Sequence, residues 1–217
     1  MSERTKSVSK KFKDIGVNVN NEAASLVKHD FTLDRGDKSW IEGSNRMQIE
    51  TGDRWESSSV FRENVVHHEL GHIVHTQNDL VKIGFSVSEE YATHFKDLKD
   101  LVKDPLLIDN KIQGMLKDVL SKGSNIHESY GLKTKEDFKS LLSATYDSLM
   151  SLTNSKYGGG HDKSYMKLIG AKEGEMFAHS MENLFVGNPV FKELMPDVYN
   201  KSIEYIQSLI DKNKLSQ

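Results

Sequence analysis

The chain has no cysteine, only three prolines and two tryptophans among its 217 residues. Without cysteine there are no disulfide bonds, thiolate ligands or thiol nucleophiles, so a tight metal site must use histidine and carboxylate. No apolar run is long enough to cross a bilayer, and the first residues lack the apolar segment of a secretory signal peptide. The net charge of -3 shows no basic excess. We therefore expect neither a signal peptide nor a nucleic-acid or membrane partner.

The apolar pattern predicts mostly helix, with a little strand before residue 55. Between residues 39 and 50, Met47 and Ile49 alternate with polar residues after a Gly-Ser-Asn turn, which predicts an edge strand or hairpin. Serines 57 to 59 offer N-cap hydroxyls, and apolar residues recur with helical spacing up to about Thr76. A helix is predicted there.

Further helices are predicted along the rest of the chain. Residues 86 to 89 form a capping-box pattern that opens a second helix, with Asp104 and Pro105 as its stop. Residues 106 to 154 contain two or three more amphipathic segments, and residues 156 to 165 form a glycine-rich loop. A last pair of helices is expected at residues 173 to 185 and after Pro196.

The domain organisation follows from this pattern. Residues 1 to 37 are polar and only weakly amphipathic, so we expect a loosely packed N-terminal lead-in or linker. Residues 38 to 217 are expected to form one α+β, mainly helical domain, with a small strand or hairpin region before the histidine-rich helix.

That helix contains VVHHELGHIVH, residues 65 to 75, with four histidines and one glutamate among apolar residues. His68 and His72 lie about 400° and about 6 Å apart along a helix, so their rings can face one ion. Glu69 sits one position on, where it can act as a general base toward water at that ion. This HExxH spacing predicts a hydrolytic zinc site. Gly71 leaves room beside the helix for another element.

His67 and His75 point away from this pair by about 100° and about 60°. We expect them to lie at the surface or to hydrogen-bond metal ligands, without sharing the ion.

A catalytic zinc needs a third protein ligand and an open position. The candidates are Glu89, Glu90, Glu173, Glu175 and Glu182. We favour Glu175, because the apolar face of its helix would bury it against the histidine helix, whereas Glu89 suits a helix start. His179, one turn later, either hydrogen-bonds a ligand or is structural.

The same residues carry a family resemblance. HHELGH, followed about a hundred residues later by GGGHDKSYMKLIGAKEGEMFAHSMENLF, resembles the zinc-metallopeptidase-like domain of phage minor head proteins of the Mu head-morphogenesis type. The Gly-His-x-x-x-Tyr loop and the Glu-x-Phe-Ala helix of that domain correspond here to residues 160 to 165 and 175 to 178. More distantly, the chain resembles the catalytic domain of anthrax lethal factor, a gluzincin.

The resemblance implies a zincin-like fold in which His68, His72 and Glu175 bind Zn2+ and Glu69 is the general base. Lethal factor has a tyrosine shortly before its ligand glutamate, but Leu168 stands at that spacing here. The resemblance therefore implies oxyanion stabilisation by Tyr165 or His161; the alternative is that both are loop residues that only close the cleft.

The expected function is that of a metalloprotease, a zinc-dependent hydrolase that cleaves internal peptide bonds and is associated with a phage or prophage. Its partners would be peptide or protein substrates and phage head proteins, in the bacterial cytoplasm or the virion. Substrates would lie along the strand near residues 46 to 50. The alternative is a non-catalytic module of a phage particle or mobile-element protein in which zinc staples the fold. A third possibility is an effector protease that acts on host proteins.

Overall fold

The computed structural model describes residues 1 to 82 and 84 to 215. Its helices are α1 (Glu3–Asp14), α2 (Asn21–Ser25), α3 (Asp53–Ser57), α4 (Ser59–Gln77), α5 (Glu89–Asp100), α6 (Pro105–Leu120), α7 (Ile126–Ser129), α8 (Lys135–Leu152), α9 (Ala171–Phe185), α10 (Pro189–Leu194) and α11 (Pro196–Leu215). Its strands are β1 (Thr32–Gly36), β2 (Trp40–Glu42), β3 (Arg46–Glu50), β4 (Val81–Lys82) and β5 (Ser86–Val87), and a 3-10 turn spans Tyr165–Lys167. The fold is mainly helical α+β, as predicted. In the described ranges, no helix has the length and apolar character to cross a membrane.

A three-stranded sheet precedes α4, as the predicted strand or hairpin region required. β3 pairs antiparallel with β2 and parallel with β1, so it is the central strand. Of the two alternatives predicted for residues 39 to 50, the hairpin is confirmed, because β2 and β3 pair antiparallel across the Gly-Ser-Asn turn. The edge strand is wrong for β3, because both of its sides are already hydrogen-bonded. Met47 and Ile49 alternate because they face the core, not because the strand is at an edge. A substrate strand could pair only with the outer edges of β1 or β2.

The first 37 residues are packed rather than loose. They form α1, α2 and β1, and Val8, Phe12 and Phe31 join the same buried cluster as Leu70 of α4. The expectation of a loosely packed lead-in is therefore corrected. The physical reason is that most of the few apolar side chains in this polar segment are buried, which a weak amphipathic pattern understates.

Two helix boundaries also differ from the prediction. The hydroxyl of Ser88, rather than Ser86, caps α5 by accepting from the backbone N–H of Tyr91 at 3.2 Å. α5 ends at Asp100, and Asp104 with Pro105 opens α6 instead of closing α5. Asp104 is the N-cap, and proline is tolerated in the first turn, where no intrahelical acceptor is available for its missing N–H.

α4 is the central element of the fold. Ser58 caps it by accepting from the backbone N–H of Phe61 at 2.8 Å, as the serine run predicted. α9 packs closely against it at Gly71, where a Cβ would come within 2.8 Å of the Cα of Ala178. Only glycine permits this short distance between the helix axes. The close approach brings side chains of α4 and α9 together in the core.

Candidate metal centre

His68 and His72 face the same buried point from successive turns of α4, and their Nε2 atoms are 3.1 Å apart. Glu175 faces them from α9, with its Oε2 3.3 Å from Nε2 of His68 and 3.6 Å from Nε2 of His72. Atoms placed tetrahedrally around one zinc ion lie about 3.4 Å apart. The three side chains therefore form a buried cluster that could hold a metal ion.

The Oε2 atom of Glu175 is the feature of the cluster that best suits a cation. This carboxylate is only 1% exposed, and its Oε2 accepts no hydrogen bond of good geometry among the described residues, although Nε2 atoms of His161, His68 and His72 lie 3.1 to 3.6 Å away. A buried carboxylate oxygen without a partner is costly unless a cation compensates it. Donor chemistry and position both fit an ion at this point.

The electrostatics of the cluster favour charge on these side chains. Burial alone would raise the pKa of Glu175, but the charge of His72 and the nearby imidazoles of His161 and His68 hold that pKa well below its usual range. Burial likewise opposes the charged form of His68, yet Glu175 and Glu182 raise its pKa well above the usual value. A cation at this point would take over the compensating role that these imidazoles have here.

Glu182 orients His68 from the side opposite the cluster. Its Oε1 lies 2.8 Å from Nδ1 of His68, which directs Nε2 toward Glu175. Its Oε2 lies 3.1 Å from Nδ1 of His179, and the other ring nitrogen of His179 lies 2.9 Å from Oδ2 of Asp147. Despite burial, the charge of His179 lowers the pKa of Glu182 to about 2. Burial also opposes the charge on His179, whose pKa the carboxylates of Glu182 and Asp147 raise to about 9.

His179 therefore acts one step away from the cluster. The sequence left it open whether this histidine bonds a ligand or is structural, and in the structure it bonds Glu182, which in turn bonds His68. Two further groups also have ligand atoms within 4.8 Å of one another. They are His68 with His179 and Glu182, and Asp147 with His161 and Glu175.

The glycine-rich loop places His161 and Tyr165 beside Glu175. The Tyr165 hydroxyl donates to Oε1 of Glu175 at 2.6 Å, and Nε2 of His161 lies 3.1 Å from Oε2 of Glu175. Burial, together with the charge of Glu175, raises the pKa of Tyr165 far above its usual value. Burial opposes the charge on His161, but Glu175 outweighs it and raises the pKa. Leu168 is 46% exposed and comes later in the loop.

Glu69 lies on the wall of the cleft that leads to the cluster. The cleft has a volume of about 690 Å³ and is also lined by His68 and His161. Burial raises the pKa of Glu69, against the charges of His68 and His72. Tyr165 is not among the residues that line this cleft. Of the two oxyanion candidates, His161 is thus the one that faces the open space.

His67 and His75 are buried packing residues, so the expectation of surface positions is wrong. Nδ1 of His67 lies 2.8 Å from the carbonyl oxygen of Glu63, and its ring stacks on Phe185. His75 packs against Phe177 of α9, and burial lowers its pKa to about 3. Their depressed pKa values follow from a dry environment.

The other candidate ligands lie elsewhere. Glu89 is exposed at the start of α5, and Glu90 pairs with Lys212 at 2.9 Å. Glu173 and Glu182 share α9 with Glu175, but only Glu182 reaches the cluster, through Nδ1 of His68. Asp147 was missed by sequence reasoning. Its only signal was a charged residue on the apolar stretch of α8.

No family model matches this sequence, and comparison with curated proteins and with solved structures gives no match. The chain is therefore defined by its mainly helical α+β fold and by a buried His/Glu cluster that could hold a metal ion.

Proposed function

We propose that the protein is a zinc-dependent endopeptidase with a zincin-like active site. The observation that carries the proposal is the convergence of His68, His72 and the buried Oε2 of Glu175 on one point. Histidine and carboxylate ligands in tetrahedral separations suit zinc, and cysteine ligands are not available in this chain.

The residues of the site can be assigned to the successive steps of peptide hydrolysis. Zinc held by these three side chains would activate water and polarise the scissile carbonyl. Glu69 accepts the proton that the water loses as its oxygen attacks the carbonyl carbon. Glu69 then gives this proton to the amide nitrogen as the C–N bond breaks. The products are a carboxylic acid and an amine.

His161 and Tyr165 divide the remaining work. The Tyr165 hydroxyl is committed to Oε1 of Glu175, so it holds the ligand carboxylate in place. The imidazole of His161 lines the cleft, with its side chain 38% exposed, and its Nε2 lies beside Oε2 of Glu175. Its other nitrogen, Nδ1, would therefore donate the hydrogen bond to the oxygen that becomes negative during attack. We therefore assign oxyanion stabilisation to His161.

The substrates are peptides or unfolded protein segments that reach the cleft. Because β3 is central, a bound segment would lie along the outer edge of β1 or β2 rather than along residues 46 to 50. The resemblance to phage minor head proteins supports phage or prophage proteins as the substrates and partners of this activity.

Metal content and cleavage together test the proposal. Wild-type protein is expected to hold about one zinc per chain by elemental analysis and to cleave casein in a chelator-sensitive way. Glu175→Ala should lose the zinc. Glu69→Gln should keep the zinc and lose cleavage, since it removes only the proton acceptor.

Two outcomes would contradict it. If zinc-loaded Glu69→Gln cleaved substrate as fast as the wild type, Glu69 would not be the proton acceptor and the proposed mechanism would be wrong. Zinc in the wild type without cleavage of casein or of phage head proteins would favour the zinc staple. His179 does not supply that staple with a fourth ligand in this arrangement, because both its ring nitrogens contact carboxylates.

A further inference from the structure

Asp147 contacts residues of two other elements around the His/Glu cluster, α9 and the glycine-rich loop, although it is not one of the proposed ligands. It lies on α8 and is only 5% exposed. Its Oδ2 accepts a hydrogen bond from Nε2 of His179 on α9 at 2.9 Å. The same oxygen lies 3.4 Å from Nε2 of His161 in the glycine-rich loop.

The loop is seated directly on this carboxylate. Gly160, which precedes His161, has φ +151, and a Cβ there would come within 2.6 Å of Oδ1 of Asp147. Both the backbone angle and the contact require glycine. The position of His161 along the cleft is therefore coupled to the position of Asp147.

His161 needs such a support. Residues 158 to 164 have no helix or strand hydrogen bonding, and the His161 side chain is the most exposed of the groups that contact Glu175. A side chain that stabilises an oxyanion must be held within about 0.5 Å of its productive position. A loop without supporting side-chain contacts would not hold it that closely.

We propose that Asp147 is a positioning residue that fixes the imidazole of His161 beside Oε2 of Glu175. Through His179 and Glu182, the same carboxylate is also tied to His68 on α4. Asp147 thereby fixes the glycine-rich loop relative to α4, the helix that carries His68. This inference rests on the proposed function and deepens it, because it names the residue that orients the oxyanion donor.

A double-mutant cycle tests this role in zinc-loaded full-length protein. Asp147→Asn is expected to lower kcat about 10- to 100-fold, with KM and zinc content unchanged. His161→Ala should have a similar effect, and the double variant should be no worse than His161→Ala alone. Asp109→Asn is the matched control, because Asp109 accepts from the backbone N–H of Gly158 at 2.8 Å and so holds the same loop at another point. It should leave kcat unchanged.

A second measurement does not depend on turnover. The rate at which diethylpyrocarbonate modifies His161, followed by mass spectrometry, should rise in Asp147→Asn and not in Asp109→Asn. The two proposals can fail separately. If the wild type cleaves no substrate but His161 is modified faster in Asp147→Asn, the proposed peptidase activity is wrong and the positioning role of Asp147 still holds. Additive losses in the cycle, equal modification rates, or loss of zinc in Asp147→Asn would each overturn the inference.

Discussion

His68 and Glu182 are joined by a 2.8 Å contact between Nδ1 and Oε1, so the carboxylate that orients this imidazole comes from the same helix as Glu175. Glu175 and Glu182 are seven residues apart, about two turns of helix, and therefore lie on one face of α9. One helix thus supplies both a proposed ligand and the group that directs its neighbour.

Glu182→Gln is expected to weaken zinc binding about 10- to 100-fold, because the amide gives His68 a weaker and less directional partner. Competition with a chromophoric chelator measures the change. Glu173→Gln, the same substitution on the same helix, is the control and should bind zinc as the wild type does. Equal affinity in the two variants would show that Glu182 does not orient His68.

Metal binding should stabilise the fold. At zinc concentrations about 100 times Kd, the free energy of unfolding should rise by about 2.7 kcal/mol, which corresponds to about 5 to 11 °C in Tm for a chain of this size. Chelator should reverse the shift, and Glu175→Ala should not show it. The reason is that the ion would compensate the charge of a carboxylate that is only 1% exposed. If zinc raised the Tm of Glu175→Ala as much as that of the wild type, the ion would bind at a different site.

Gly71→Ala should destabilise the protein by about 1 to 3 kcal/mol, because its Cβ would strike the backbone of Ala178 and push α9 away from α4. Zinc affinity should fall with it, since the two helices carry different ligands. Gly114→Ala is the matched control. Gly114 lies in α6 with open space around its Cβ position, so alanine there should stabilise by about 0.5 to 1 kcal/mol. Chemical denaturation compares the two, and a stability loss at Gly114 as large as that at Gly71 would argue against the steric explanation.

His94 should make stability depend on pH. Burial, followed by the charge of Lys201, lowers its pKa from 6.5 to about 4, and its ring stacks on Tyr205 at 4.3 Å. Between pH 6.5 and about 4 the unfolded chain therefore binds more protons than the folded one. The resulting stability is complete above pH 6.5 and is lost as pH falls toward 4.

Replacing His94 with phenylalanine keeps an aromatic ring against Tyr205 and removes the titrating group. The fall in Tm between pH 6.5 and 4 should accordingly be shallower in His94→Phe than in the wild type. Parallel curves for the two proteins over this range would mean that His94 does not contribute.

Much of the site could be predicted because its information is local. The spacing of His68 and His72 on a helix sets the direction of both rings, and the apolar residues between them set which face is buried. The serine run before α4 marked its start for a similarly local reason. The preference for Glu175 over Glu89 depended on which helix had an apolar face, which is also a property of sequence, although its role as a ligand remains a prediction.

Tertiary structure alone decided the rest, because it depends on residues far apart in the chain. Nothing in the local pattern around Asp147 shows that His179 and His161 meet there, 32 and 14 residues away. Strand order is equally non-local, since the alternation of Met47 and Ile49 is the same in a central strand as in an edge strand. The sequence by itself determined that His68 and His72 face one point, and which helix carries them. The close approach of α4 and α9 determined which carboxylates surround them, since burial and charge act through space.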